Sequence, residues 1–178
     1  VMDILHSFID RIEVYSIDEA FVQFPESFDD HAAYLWALEV RTKIWKWTGI
    51  PTRVGIGKTK TLAKLANHLA RKSKDHVAYF DHEDISTFQS IPTGKVWGLG
   101  RNLETRLKRY GVYTVGQLLS RHREWVRKML TVEGERTFQE LKGRVCYPLH
   151  SGPEEPQKSL MVSRSFSREV TSKEQLFD

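Results

Sequence analysis

A single cysteine, Cys146, stands among the 178 residues. The chain can therefore close no internal disulfide and offers no thiol cluster to zinc, which excludes the disulfide-stapled secreted classes and suits a reducing compartment. No apolar run approaches the roughly 20 residues of a membrane-spanning helix, and nothing at the head of the chain has the form of a signal peptide. The expectation is a cytoplasmic protein with no membrane partner. Six prolines and eleven glycines leave no collagenous or low-complexity stretch, and no internal repeat appears. A start-like Met is missing as well. Val1-Met2-Asp3-Ile4-Leu5 reads as the inside of an amphipathic helix, which predicts a piece of something longer. What is present, 40 % hydrophobic and 28 % charged, is a globular chain of one or two domains, long enough to bury a core.

The net charge of +4 is unevenly spread. Residues 1–90 hold 11 basic and 13 acidic side chains, a balance of −2. Residues 91–150 hold 12 and 5, a balance of +7, and residues 151–178 return to −1. A local excess of this size is the footprint of a surface that meets a polyanion. A solvated basic face on a helical domain is the alternative.

The hydrophobic pattern predicts an α/β (α+β) unit with an antiparallel or mixed sheet, followed by a small all-α unit. Residues 1–9 read as the end of a helix, and Glu13 to Phe24 as strand, tight turn and strand. Asp29 and Asp30 offer caps for a helix over about 31–48, with Ala33, Ala37, Val40, Ile44 and Trp47 as its apolar stripe, stopped by Gly49 and Pro51. Thr52–Gly57 reads as a strand. A helix over 59–72 buries Leu62, Leu65, Ala66 and Leu69 and carries Lys60, Lys64, Asn67 and Arg71 on a polar stripe. Val77–Phe80 is a further strand. Beyond Asp81 strand signals vanish, and short helices are expected at about 82–90, 101–110, 114–120, 122–129 and 133–143. Ser151-Gly152-Pro153-Glu154-Glu155-Pro156 has the composition of a linker, and 160–170 reads as one strand. The expected divisions are 1–80, 81–150, a linker over 151–158, and the start of a further unit over 159–178.

Three segments carry chemistry. Asp18 and Glu19 are adjacent; on a plain strand they would point to opposite faces, but at a hairpin turn both carboxylates can converge. Converging carboxylates suit a hard divalent cation such as Mg²⁺, and metal pairs recur in nucleotidyl transfer. A merely polar turn is the alternative. Secondly, Thr52-Arg53-Val54-Gly55-Ile56-Gly57-Lys58-Thr59-Lys60 runs from strand into helix, where glycines let amides approach a phosphate and a helix N-terminus favours anions. A P-loop is imitated, but that motif needs glycine where Thr52 stands, and the acidic element precedes the lysine loop. Solvated helix-start lysines are the other reading. Thirdly, Val96-Trp97-Gly98-Leu99-Gly100 leads into an amphipathic helix with Leu103, Leu107 and Tyr110. Exposed glycine amides there, with Arg101, Arg106, Lys108 and Arg109 close by, can hold a DNA phosphate without reading sequence. A tight turn between helices would need the same glycines.

Taken together the chain resembles the Y-family, lesion-bypass DNA polymerases, in their UmuC branch. The resemblance is carried by Glu13-Val14-Tyr15-Ser16-Ile17-Asp18-Glu19-Ala20-Phe21, by Gly55 to Asn67, by Val96 to Gly100, by Glu135 to Gly143 and by Val162-Ser163-Arg164-Ser165-Phe166. These stretches lie in the family's order; Gly57-Lys58 departs from the small residue and proline expected there. The resemblance implies part of a palm over 1–80, a thumb with a helix–hairpin–helix-like turn over 81–150, and the first strand of the little finger from 159. It implies that Asp18 and Glu19 are two of three carboxylates for a two-metal Mg²⁺ site. It places Lys60 at the triphosphate of a dNTP, Ser16 near the nascent pair, and Gly98, Leu99, Gly100 and Arg101 on the primer–template backbone. The activity implied is DNA-directed DNA synthesis past lesions in an SOS-type response, with bacterial, nucleoid-associated localisation. The implied partners are a UmuD-type accessory subunit, a recombinase filament and a sliding clamp. The family's first catalytic Asp and most of its little finger have no counterpart here, so the chain alone is expected to be inactive. A non-catalytic module that binds the DNA backbone is the second reading.

Overall fold

Alternation over residues 12–22 closes into a hairpin in the computed structural model, which describes residues 1–150, 161–166 and 169–172. After α1 (Met2–His6), β1 (Ile12–Val14) pairs antiparallel with β2 (Ala20–Val22), with Glu13 opposite Phe21. The Asp29 carboxylate accepts from the Ala32 amide and starts α2 (Asp30–Thr48), which ends at Gly49 with φ 67°, a left-handed cap suited to glycine. Ala33, Trp36, Ala37, Val40 and Ile44 are buried on one face of α2. Trp47 departs from the expected stripe: it is 67 % exposed, and the Lys43 ammonium lies over its ring. Helical period keeps it in line with Ile44, but in the last turn the core no longer covers it.

β3 (Val54–Gly57), α3 (Lys60–Ala70) and β4 (Val77–Phe80) form a βαβ unit, with β3 and β4 parallel and Val54 opposite Val77. The antiparallel or mixed sheet expected from the sequence is resolved into two separate two-stranded sheets, β1–β2 and β3–β4. β2 and β3 line one groove without pairing to each other. The β3–β4 sheet contributes to two cores, Ile56 and Val77 to one and Phe80 to the other. One gathers Ile4, Trp36, Val40, Ile44, Ile56 and Val77 around α2. The other runs from Leu62, Leu65 and Phe80 through Leu107, Val115, Leu130 and Phe138 to Leu141.

That second core is built by α4 (Ile85–Ser90), a 3-10 turn over Thr93–Lys95, α5 (Arg101–Arg109), α6 (Val115–Leu119) and α7 (Arg123–Leu141). A capping box between Thr114 and Gln117 starts α6. The two helices expected at 122–129 and 133–143 are the two halves of α7, which breaks at Thr131 with φ 68°. The strand expected at 160–170 is not formed by the described residues there. Met161 and Val162 are 89 % and 94 % exposed, and an isolated strand with no neighbour to complete its ladder has nothing to stabilise it. The linker at 151–158 lies outside the described residues. Among those residues no helix is long and apolar enough to cross a membrane.

One buried carboxylate ties the two halves together. Glu140, fully buried, accepts the Thr61 amide at 2.9 Å through Oε2, and the Cys146 and Tyr147 amides at 2.9 and 3.0 Å through Oε1. The Thr59 hydroxyl donates to its backbone carbonyl at 3.0 Å. Glu140→Ala should therefore orphan three amides and lower stability by about 3 kcal/mol or more, at roughly 1–3 kcal/mol per unsatisfied buried group. Urea unfolding measures it, and an unchanged midpoint would contradict the clamp.

Candidate active site

The hairpin between β1 and β2 is held by its own backbone. The Tyr15 and Ser16 amides donate to the Glu19 carbonyl at 2.9 and 3.0 Å, so Ile17 is pushed out and is 98 % exposed. Ser16 Oγ donates to Asp18 Oδ1 at 2.6 Å. Glu19 receives the Lys64 ammonium on both carboxylate oxygens at 2.7 Å. Asp18 and Glu19 thus leave the strand alternation and line one cleft of about 670 Å³, together with Lys58, Lys60 and Lys64 from the β3–α3 segment. Asp18 is aligned by Ser16, and Glu19 is held toward α3 by Lys64.

Lys60 departs from the polar stripe on which its spacing puts it. It is 8 % exposed, its ammonium sits 2.6 Å from both Glu13 oxygens, and it lies over the Phe21 ring at 5.2 Å. Burial pushes the Glu13 carboxyl up, but the Lys60 ammonium and the His150 amide, which donates at 2.7 Å, outweigh it and hold the group below the usual carboxylate range. Glu13 was not singled out from the sequence. The available signal was a carboxylate in mid-strand between Ile12 and Val14, which asks for a cation partner.

The glycines of β3 serve packing. A Cβ on Gly55 would stand 2.1 Å from the Asn67 amide nitrogen and 2.2 Å from the Ala63 carbonyl oxygen. Packing against the backbone of α3 accounts for Gly55 and Gly57 without a phosphate cradle.

The glycine turn of the helical half lies apart from the cleft. Gly98 has φ +84°, a conformation that favours glycine. Leu99 is buried in the core, Gly100 caps α5 with open space where a Cβ would be, and Arg101 opens the helix exposed. This turn is positioned to present backbone amides at a helix start. Part of the basic excess nearby is already neutralised. The buried Glu135 carboxylate takes Arg123 at 2.5 Å and also Arg127.

Among the described residues no group of three or more carboxylate, histidine or cysteine side chains converges. The acidic turn supplies two hard oxygen donors. That fits one side of a divalent cation that takes its remaining ligands from water and substrate phosphates.

Residues 1–68 match the impB/mucB/samB family. Protein UmuC of Salmonella typhimurium is 35 % identical over 181 residues, covering 99 % of this chain and 43 % of that protein. Protein MucB of Escherichia coli is 34 % identical over 94 % of this chain and 40 % of its own. The chain thus spans less than half the length of the curated relatives it matches. A post-insertion binary complex of Dbh DNA polymerase shares the fold with TM-score 0.70 at 21 % identity, over 83 % of this chain and 44 % of that one. Residues 1–68 thus carry the pattern of the impB/mucB/samB family, and nearly the whole chain is similar to proteins that share it.

Proposed function

We propose that this chain supplies the acidic turn and the duplex-holding turn of a lesion-bypass DNA polymerase, which transfers a nucleotidyl group from a dNTP to the primer 3′-hydroxyl. The observation that carries the reading is the placement of Asp18 and Glu19 on one hairpin turn facing the lysines of the β3–α3 segment across a shared cleft. Relatives named DNA polymerase IV, such as that of Clostridium perfringens at 29 % identity, support it.

In this reading residues 1–80 belong to the palm and 81–150 to the thumb, and the little finger begins near 159. Asp18 and Glu19 hold Mg²⁺, which on binding offsets the charge of the phosphates and lowers the pKa of the attacking hydroxyl. Lys60 exchanges Glu13 for the triphosphate when a dNTP arrives. Ser16, already bonded to Asp18, lies beside the nascent pair. Gly98, Leu99, Gly100 and Arg101 form a hairpin that holds the primer–template backbone through amides and a helix N-terminus. The groove between the unpaired edges of β2 and β3 takes a further strand carrying the third carboxylate, and it leaves those edges prone to self-pairing when empty. A UmuD-type accessory subunit, a recombinase filament and a sliding clamp belong to the same reading as partners of the longer polypeptide, acting at the bacterial nucleoid.

The excess of +7 over residues 91–150 favours a second activity for the chain by itself, binding of the DNA backbone without catalysis. Residues 1–178 should bind primer–template with an affinity that falls about 10³-fold between 50 and 200 mM salt, as for some six phosphate contacts, and should incorporate no dNTP. Salt-independent binding would overturn the backbone contact. Templated incorporation by a clean preparation would overturn the need for a third carboxylate.

A further inference from the structure

We propose that Trp97 is a positioning residue, a latch that sets the glycine turn at a fixed distance from the acidic turn and so aligns the duplex with Asp18 and Glu19. The inference rests on the polymerase reading above.

Trp97 immediately precedes Gly98, and Tyr15 immediately precedes Ser16. The indole N–H of Trp97 donates to the Tyr15 hydroxyl at 3.1 Å, joining residues 82 positions apart. The Trp97 ring meets Tyr15 edge-on at 5.7 Å, Phe21 at 5.9 Å and Tyr147 edge-on at 5.5 Å. Tyr15 and Phe21 flank the acidic turn on its two strand sides. Tyr15 also carries the Lys64 ammonium over its ring at 5.0 Å, the same ammonium that holds Glu19. On the other side, the Tyr147 hydroxyl donates to Glu133 Oε2 at 2.9 Å, two residues beyond the break at Thr131. One indole, itself next to the glycine turn in sequence, thus touches side chains beside the acidic turn and one bonded to Glu133 near the break in α7.

The cluster is poorly suited to be only a stabilising core. Tyr15 is 45 % exposed, and the bond between indole and hydroxyl is directional, so the arrangement adds orientation more than buried area. Leu99, buried two residues on, makes the turn rigid, so a shift of the indole shifts the Gly98–Arg101 backbone with it. Catalytic rates fall steeply with such misplacement of reacting groups.

The test uses the longer polypeptide in single-turnover primer extension with Trp97→Phe, Tyr15→Phe and the double variant. Each single change deletes one partner of the bond and should lower the maximal rate about three- to tenfold, the equivalent of one net hydrogen bond. Primer–template affinity should hold, and melting temperature should fall no further than the loss of one net hydrogen bond allows. The double variant should be no slower than the worse single one, because both remove the same interaction. Unchanged rates, losses that track melting temperature, or losses that multiply in the double variant would each overturn the latch.

A second readout needs no activity. Addition of primer–template should shift the Asp18 and Glu19 amide resonances in the wild type and not in Trp97→Phe. If the wild type extends no primer but this difference persists, the polymerase reading fails and the latch stands. Equal shifts in both proteins would remove the latch.

Discussion

Gly55→Ala should leave no folded chain. The added Cβ would lie 2.1 Å from the Asn67 nitrogen, 2.2 Å from the Ala63 oxygen and 2.7 Å from the Asn67 Cα, all of them backbone atoms of α3. No rotamer change relieves a clash between two backbones, so the helix would have to lift from β3. Leu62, Leu65 and Ala66 on that helix are fully or almost fully buried in the core that runs into the helical half, so lifting it opens that core. The expected loss exceeds about 4 kcal/mol, the range reserved for overpacking and broken cores, against a total stability of roughly 5–15 kcal/mol for a domain. Gly100→Ala is the control. Its φ is −64° and nothing lies within 4 Å of the new atom, so its cost should stay within about 0.5 kcal/mol. Thermal melting by circular dichroism separates the two. A Gly55→Ala protein that melts like the wild type would show that α3 does not press on β3 as described.

Asp18→Asn should reduce primer extension by the longer polypeptide about 10²–10³-fold while leaving the fold and the DNA affinity intact. Asp18 is exposed, and its described side-chain hydrogen bond is with Ser16. The asparagine carbonyl can accept that bond, so a local change within about 0.5 kcal/mol is expected in stability. What the substitution removes is one full negative charge from the turn. Charged groups preorganised at a phosphoryl-transfer site contribute several kcal/mol to the transition state, of the order of 10²–10³-fold each. Glu19 cannot make up the loss, since it is already one of the two carboxylates the turn supplies.

Much of this is legible in the residues themselves. The hairpin, α2, the βαβ unit and the helical half follow from period and caps: Asp29 and Gly49 mark the ends of α2, and alternation marks β1 and β2. What sequence reading missed depends on distant partners. Lys60 has the spacing of a solvated stripe residue, and only the approach of Glu13, 47 positions away, draws it into the interior. Trp47 has the period of a core residue but falls where α2 has run past its cover. Glu140 looks like one more helix glutamate until Thr61, Cys146 and Tyr147 aim their amides at it. Gly55 and Gly57 suggested a close approach of phosphate, whereas what approaches them closely is the backbone of α3. The strand read at 160–170 falls partly outside the described residues.

The measurement that bears most directly on the account compares the longer polypeptide with its Asp18→Asn/Glu19→Gln variant. Both samples are assayed for primer–template binding and for dNTP incorporation. Binding should be equal in the two, with the same salt dependence, and the unsubstituted protein alone should incorporate dNTP. Equal incorporation by both would mean that the acidic turn holds no catalytic metal and that the site has been assigned to the wrong residues.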